Sequence, residues 1–320
     1  MSDTCLAKLV RDFIDYKKSI GYKYESTEYE MKRFIKFTQE AGFNGIPDRS
    51  LCLQWVQKHD TELPVSVHVR ASYLRELGKY LFSMGYEEAY VLPRKIGSKG
   101  INHVPYFFTD QEIYLFFKAC DSVERHPNYT GRELVLPLLF RFLYCCGVRT
   151  LEASSLLYAN VHLENGYVDI IQSKGPKSRR IFLGQELIVV MKTYEDAICR
   201  KIPDRRYFFP RNADLSYKES FISRNFRRFW YQVFPNLQNE IRPRAYDFRH
   251  HFAFSNINRW VKEGKDVNVL LPYLMCYMGH SSLKSTCYYI HFVPEFFATF
   301  TNMVKELDEI LPEVDHEETF

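Results

Sequence analysis

The sequence has no uninterrupted apolar run of the roughly 18 to 20 residues that a membrane-spanning helix needs. Its first residues carry charges at Asp3, Lys8, Arg11 and Asp12 instead of the apolar segment of a secretion signal. These two absences predict a protein that is neither inserted in a membrane nor secreted, and we expect it in the cytoplasm.

Cysteine motifs and phosphate-binding motifs are also absent. The eight cysteines form no C-x-x-C pair, which argues against a zinc site or a disulfide framework and predicts reduced thiols. The sequence contains neither the G-x-x-x-x-G-K-[ST] motif nor a tight acidic cluster suited to two metal ions. We therefore expect no cofactor, no metal ion and no use of a nucleoside triphosphate.

The composition is that of a folded protein with about two domains. Of the 320 residues, 46% are hydrophobic, 16% aromatic and 26% charged. The net charge is +4, but residues 303–320 hold seven acids and one lysine, which leaves +10 on residues 1–302. A basic body permits binding to a polyanion such as nucleic acid, although many other enzymes carry the same excess.

Apolar periodicity predicts a helical domain over residues 1–91. Apolar residues recur three and four positions apart from Leu6 to Ile14, and three further amphipathic helices are expected at about 27–41, 48–58 and 64–84. Residues 92–106 lose this periodicity and are rich in proline, glycine and basic side chains. That composition predicts a flexible basic linker.

A second domain is predicted over residues 107–320. It opens with Thr109 and Glu112 in the spacing of a capping box. Two β-type runs at 166–172 and 179–183 flank Lys174 and predict a hairpin with a basic tip, whereas the remaining segments have helical periodicity. The predicted fold class is therefore mainly α with a small antiparallel β-sheet.

Four separated motifs of this domain hold chemically reactive residues in a fixed order. They are Gly147-Val148-Arg149-Thr150-Leu151-Glu152, Lys174 in the hairpin, Tyr246-Asp247-Phe248-Arg249, and Gly279-His280 with Tyr289 nine residues after that histidine. This order resembles the tyrosine recombinase (phage integrase) family over nearly the whole chain. The resemblance implies a SAM-like helical core-binding domain and an α+β catalytic domain. It also implies a Xer-like or mobile-element enzyme, acting on DNA in the nucleoid, that cleaves and rejoins strands through a covalent 3′-phosphotyrosine without metal or ATP.

The residue types suit attack on a phosphodiester, which concentrates negative charge on the non-bridging oxygens. Arg149 and Arg249 are expected to clamp those oxygens, because guanidinium groups stay protonated and bind phosphate through a planar fork of donors. The spacing from Gly279-His280 selects Tyr289 as the nucleophile, with the adjacent Tyr288 as its rival. Glu152 is expected to orient the turn that carries Arg149.

The family pattern assigns the remaining roles. It makes Lys174 the general acid that protonates the departing 5′-hydroxyl, and Lys177 in the same hairpin is the alternative candidate for that lysine. It makes His280 a hydrogen-bond partner of a phosphate oxygen or of the nucleophile. The sequence departs from the pattern at Tyr246, where the family has histidine. A phenol donates hydrogen bonds but is a poor base near pH 7, so removal of the nucleophile's proton is expected to depend on His280 or on water. His250 is predicted to be supporting or buried structure.

Members of the family bind double-stranded DNA between their two domains, and four protomers assemble in a ring on the DNA. We expect a monomer in solution that forms a tetramer on DNA through a C-terminal helix beginning near Pro294, with possible accessory proteins. Packing of that helix on its own domain is the alternative. Basic side chains expected to contact DNA phosphates are Arg94, Lys95, Lys99, Lys177, Arg179, Arg180, Arg242 and Arg244.

Two other functions are compatible with the same motifs. A type IB topoisomerase shares the attack chemistry but relaxes supercoils without strand exchange. A catalytically silent DNA-binding relative would keep the fold, and the Tyr246 substitution leaves room for it. Trapping of protein covalently on a nicked DNA substrate separates an enzyme from a silent relative.

Overall fold

The computed structural model describes residues 5–22, 24–96, 104–171, 178–235 and 242–289. The chain divides into two compact units, Met1–His103 and Val104–Phe320. The predictions for Lys99, Lys174, Lys177 and the helix beginning near Pro294 lie outside the described residues. Within the described ranges, no helix combines the length and the apolar character needed to cross a bilayer.

The described residues of unit 1 form four helices: α1 Cys5–Ser19, α2 Glu25–Glu40, α3 Arg49–Trp55 and α4 Pro64–Ser83. Asp48 caps α3 by accepting the backbone N–H of Leu51 at 2.8 Å, and Pro64 occupies the first position of α4. The periodicity that predicted α1 reflects packing, because its apolar stripe is buried in the core of the unit: Leu6, Leu9, Val10, Phe13 and Ile14.

The first residues of the predicted linker pack with unit 1. Leu92 is buried in the core of this unit, and the guanidinium of Arg75 donates hydrogen bonds to the carbonyl oxygens of Leu92 and Pro93 at 2.8 and 2.6 Å. At the other end of the predicted linker, Phe108 is buried in the core of unit 2. The domain boundaries at residues 91 and 107 stay predictions.

The part of unit 2 that the structure describes is helical apart from one small sheet. Its helices are α5 Asp110–Asp121, α6 Arg132–Cys146, α7 Thr150–Ser154, α8 Gln185–Cys199, α9 Glu219–Val233, α10 Asp247–Lys262, α11 Val267–Met278 and α12 Lys284–Cys287. The predicted capping box is present at α5, where Thr109 and Glu112 exchange side-chain and backbone hydrogen bonds. Interlocking aromatic rings fill the core between these helices, among them Phe116, Phe140, Phe226 and Phe248.

The sheet has three antiparallel strands in the order β1 Val161–His162, β2 Tyr167–Ile170 and β3 Arg179–Phe182. Strand β2 pairs with β3 so that Val168 lies opposite Ile181 and Ile170 lies opposite Arg179. Val168, Ile170 and Ile181 face the core, which accounts for the alternation that predicted these two strands. The fold class expected from the sequence is confirmed.

Candidate active site

Arg149 lies in a turn between two helices. Helix α6 ends at Gly147, which has φ +58°, and Arg149 then forms the N-cap of α7. A Cβ atom at Gly147 would lie 2.5 Å from the ring of Phe252, so the turn requires glycine for its conformation and for its close packing. The sequence of this turn therefore fixes where the arginine leaves the backbone.

Glu152 orients Arg149, as the sequence predicted. Its carboxylate accepts the backbone N–H of Arg149 at 2.8 Å and the Nη1 donor at 2.7 Å. The Nη2 atom of Arg149 donates to the carbonyl oxygen of Gly279 at 3.0 Å. Arg149 is thus tied to the Gly279-His280 motif, 130 residues later in the chain.

Arg249 lies in the first turn of α10 and is 1% exposed. Its Nη1 donates to the carbonyl oxygen of Gly147 at 2.8 Å, and its Nη2 donates to the carbonyl oxygen of Met278. Its Nε atom is buried and has no hydrogen-bond partner among the described residues. Burial, followed by the positive charge of Arg149, lowers the pKa of Arg249, but a guanidinium remains charged at neutral pH.

Arg179, at the start of β3, shares the carboxylate of Glu152. Its Nη1 and Nη2 donate to the two carboxylate oxygens at 3.0 and 2.7 Å, and its Nε donates to the carbonyl oxygen of Tyr277 at 2.6 Å. Burial would raise the pKa of Glu152, but its bonds and charge interactions with Arg179 and Arg149 lower that pKa to about 2. Glu152 is therefore an anion that holds two arginines at once.

The other predicted DNA contacts have different surroundings. Arg180 pairs with Asp169 on the neighbouring strand at 2.9 Å, and Arg244 donates to Asp247 at 3.3 Å. Both arginines are largely exposed, as are Arg242 in unit 2 and Arg94 and Lys95 in unit 1.

His280 follows the left-handed residue Gly279 at the end of α11. Its Nδ1 forms a hydrogen bond with the buried hydroxyl of Thr286 at 2.8 Å. Burial is the main cause that lowers the pKa of His280 to about 4, and the charges of Arg249, Arg149 and Arg179 lower it further. The imidazole is therefore neutral at pH 7.

Tyr289 is buried, with 3% of its surface exposed, and its ring lies 6.2 Å from that of His280 in a stacked arrangement. Its hydroxyl is 3.1 Å from Nδ1 of His250. Burial raises the pKa of Tyr289 to about 12, although the charges of Arg249 and Arg149 act in the opposite direction. The phenol is therefore almost fully protonated at neutral pH.

Tyr246 and Tyr288 lie beside these residues. Tyr246 forms the N-cap of α10 and is 37% exposed, and its ring meets the ring of His250 edge-on at 5.1 Å. The ring of Tyr288 lies 5.6 Å from that of Tyr289 at an angle of 70°, and burial raises the pKa of Tyr288. Two adjacent tyrosines of a turn thus have different surroundings, and the Tyr289 hydroxyl lies within hydrogen-bond distance of Nδ1 of His250.

The structure brings together five of the six predicted catalytic residues, because Arg149, Tyr246, Arg249, His280 and Tyr289 occupy one region of unit 2, and Lys174 lies outside the described residues. The sequence did not predict the contact of His250 with Tyr289 or the pairing of Arg179 with Glu152. Only the position of His250 next to Arg249 was available as a signal. A basic run in a hairpin gives no sign that one of its arginines turns inward.

Guanidinium, imidazole and phenol groups gathered in one region are typical of an enzyme that acts on phosphodiesters. The model of the phage integrase family matches residues 107–295, more than half of the chain. The chain therefore belongs to the phage integrase family. It is a site-specific recombinase or integrase of the tyrosine class.

Two curated relatives show the extent of the similarity. The chain is 25% identical over 295 residues to the integrase/recombinase y4rE of Sinorhizobium fredii, which covers 89% of this chain and 91% of that protein. It is 30% identical over 208 residues to the tyrosine recombinase XerD of Chlorobaculum tepidum, which covers 62% of each.

Solved structures agree in fold. The XerH recombinase bound to its palindromic difH substrate aligns with a TM-score of 0.61 and 20% identity over 86% of this chain and 78% of that chain. A lambda integrase dimer bound to a COC′ core site aligns with a TM-score of 0.62 and 16% identity over 90% of this chain and 77% of that chain. At these identities the likeness concerns the fold alone.

Proposed function

We propose that this recombinase cleaves one DNA strand by attack of the Tyr289 hydroxyl on phosphorus. The attack leaves a covalent 3′-phosphotyrosine, and a 5′-hydroxyl then reverses the step to rejoin DNA. The observation that carries the proposal is the convergence of Arg149, Arg249, His280 and Tyr289, which come from three separate motifs of the sequence. Because the phosphotyrosine conserves the energy of the diester, the cycle as proposed uses neither ATP nor a metal ion.

The two arginines would stabilise the charge that develops on the phosphate. Arg149 is about one-third exposed, so a phosphate oxygen can reach its guanidinium. Arg249 is buried and carries an Nε donor without a partner among the described residues, which costs free energy that a phosphate oxygen would offset. The proposal therefore requires DNA binding to open access to Arg249.

The other groups have supporting roles in the proposal. The neutral His280 would hydrogen-bond a phosphate oxygen, Tyr246 would donate its phenolic hydrogen to another, and Lys174 would protonate the departing 5′-oxygen. For Arg179 we propose a positioning role in place of the phosphate contact predicted from sequence, because its three donor nitrogens are already bonded to Glu152 and Tyr277. The exposed side chains of Arg94, Lys95, Arg180, Arg242 and Arg244 remain proposed phosphate contacts. Lys99 and Lys177, which lie outside the described residues, are proposed from the sequence alone.

The family suggests how these contacts are used. The predicted domains, residues 1–91 and 107–320 joined by the linker 92–106, would both bind double-stranded DNA. XerH has been solved bound to its palindromic difH substrate, and lambda integrase has been solved as a tetramer bound to a Holliday junction. We propose that this chain, a monomer in solution, likewise assembles as a tetramer on paired sites.

A covalent-trapping experiment tests the chemistry. Wild-type protein is incubated with short nicked duplexes of randomised sequence. After cleavage, the short fragment that bears the new 5′-hydroxyl diffuses away, and its loss prevents religation. Adducts that survive denaturant are sequenced to find the preferred site, and the modified peptide is mapped by mass spectrometry. We expect the adduct on Tyr289, its loss in Tyr289→Phe and its retention in Tyr288→Phe. An adduct that persists in Tyr289→Phe contradicts the assignment, and relaxation of plasmids without strand exchange indicates a topoisomerase instead.

A further inference from the structure

His250 makes a contact with the proposed nucleophile that the motif pattern does not account for. Its Nδ1 lies 3.1 Å from the hydroxyl oxygen of Tyr289, within hydrogen-bond distance. The ring centroids of the two residues are 5.6 Å apart at an angle of 54°, so the contact joins the edge of the imidazole to the phenol oxygen. His250 directly follows Arg249 in α10, which fixes its backbone in the first two turns of that helix.

The Tyr289 hydroxyl needs a proton acceptor. With a pKa of about 12, only about one phenol in 10⁵ is ionised at pH 7 in the DNA-free protein. The attacking atom is the oxygen that bears this proton, so the proton must leave before or during attack. A positioned base that takes it contributes typically about 10²–10⁴-fold to the rate.

The alternatives for this role are less well placed. Tyr246 occupies the position at which the family pattern has histidine, but a phenol is a weak base at neutral pH. Nδ1 of His280 is engaged by Thr286, and the His280 ring is stacked near-parallel to the Tyr289 ring at 20°. Among the described residues, the imidazole nitrogen within hydrogen-bond distance of the Tyr289 hydroxyl belongs to His250.

We propose that His250 is the general base that activates Tyr289, an inference that rests on the proposed function of Tyr289. Nδ1 of His250, carrying a lone pair in the Nε2–H tautomer, takes the phenolic proton. The electron pair of the O–H bond becomes available to form the bond from the Tyr289 oxygen to phosphorus. The bond from phosphorus to the 5′-oxygen breaks, and that oxygen receives a proton from the proposed acid, Lys174. On religation the imidazolium returns its proton to Tyr289.

The neighbouring Tyr246 explains why the base occupies a different position in this chain. The rings of Tyr246 and His250 meet at an angle of 68°, and both lie at the start of α10. A histidine at position 246 would stand close to the same reaction centre. The base function would then have moved by about one helical turn, from the first position of the H-x-x-R pattern to the residue after its arginine.

The experiment compares His250→Asn with a matched control. Asparagine places a hydrogen-bonding atom close to the position of Nδ1 but does not accept a proton at neutral pH, so a purely positioning role would survive the substitution. His251→Asn makes the same change at the adjacent residue of α10, whose Nδ1 accepts the backbone N–H of Phe108. Both variants are assayed for covalent adduct on the nicked duplex selected with wild-type protein, with DNA affinity and thermal unfolding measured alongside.

We expect His250→Asn to bind the duplex as wild type does and to form adduct about 10²–10⁴-fold more slowly. His251→Asn should cleave at close to the wild-type rate per folded molecule. Adding Tyr246→His to His250→Asn should restore part of the lost rate, because it returns an imidazole to the site. A folded His250→Asn that forms adduct at the wild-type rate overturns the proposal, as does an equal loss in both single variants.

A second variant covers the case in which His250→Asn does not fold. His250→Ala is assayed with and without added imidazole, which supports the proposal if it raises the rate in this variant and not in wild type. Cleavage by His250→Ala at the wild-type rate without imidazole refutes it. The position of the adduct in wild type distinguishes failure of the proposed function from failure of the present inference. Absence of the adduct from Tyr289 refutes the proposed function, whereas an adduct on Tyr289 that does not depend on His250 refutes only the present inference.

Discussion

Arg249 donates from Nη1 to the carbonyl oxygen of Gly147 at 2.8 Å, across 102 residues of sequence. The same guanidinium donates from Nη2 to the carbonyl oxygen of Met278. Arg249 thus joins the turn that presents Arg149 to the end of α11, where His280 follows. A residue with a proposed chemical role also connects the backbone segments that form the site.

The first prediction concerns Arg249→Lys. An ammonium group does not reach both carbonyl oxygens, so one buried acceptor is left unpaired at a cost of about 1–3 kcal/mol in the free energy of unfolding. Loss of the planar donor fork should also slow adduct formation by about 10²–10³-fold. Urea unfolding and the nicked-duplex assay measure the two effects. Arg259→Lys, an exposed change on the same helix, should alter neither stability nor rate by much. A fully active, fully stable Arg249→Lys would contradict both roles.

The second prediction concerns Gly147→Ala. The left-handed conformation costs a residue with a Cβ about 1–2 kcal/mol, and the added methyl group would press on the Phe252 ring for about 1–3 kcal/mol more. Gly264→Ala provides the control, because Gly264 has φ +66° with open space around it. Denaturant unfolding should show a clearly larger loss for Gly147→Ala. Equal losses in the two variants would show that the conformation alone accounts for the cost.

Much of this architecture follows from local sequence. The helical character predicted for the segments after the hairpin is seen in α10 and α11, and α11 begins after Asp266, whose side chain accepts the backbone N–H of Asn268 at 2.9 Å as an N-cap does. Strand β1 was not predicted, because its two residues are too few to show the alternation of apolar and polar side chains that identifies a strand. The inward turn of Arg179 also escaped prediction. Its partner Glu152 lies 27 residues earlier, and only the packed sheet brings the two side chains together.

The contact between His250 and Tyr289 illustrates the same limit. The motif spacing selected Tyr289 over Tyr288, and the order of the motifs indicated one shared site. The direction of each side chain depends on how α10 packs against α6 and α11, and no local pattern records that packing. The identities of the chemical groups were therefore predictable, whereas the atom adjacent to the nucleophile was not.

The third prediction concerns the pH dependence of stability through Glu152. Its pKa falls from the usual 4.5 to about 2 in the folded protein, so its anion contributes about 3 kcal/mol to stability above pH 4.5. That contribution is lost progressively as the pH drops from 4.5 toward 2. Urea unfolding of wild type and Glu152→Gln should therefore differ most at neutral pH and converge in acid. Asp169→Asn, which removes the half-buried partner of the exposed Arg180, should show a much smaller difference.

The last prediction concerns Tyr246→His. The substitution restores the residue that the family pattern has at this position, at the partly exposed start of α10, where a histidine ring fits without displacing core side chains. With His250 unchanged, the nucleophile already has an acceptor for its proton. We therefore expect Tyr246→His to keep cleavage activity, measured as the rate of adduct formation on the selected duplex. Substituting His250 should also slow adduct formation less in the Tyr246→His protein than in wild type, because a second imidazole then lies beside the reaction centre. Collapse of activity in a folded Tyr246→His would mean that the phenol itself is needed, as a hydrogen-bond donor to the phosphate that an imidazole does not replace.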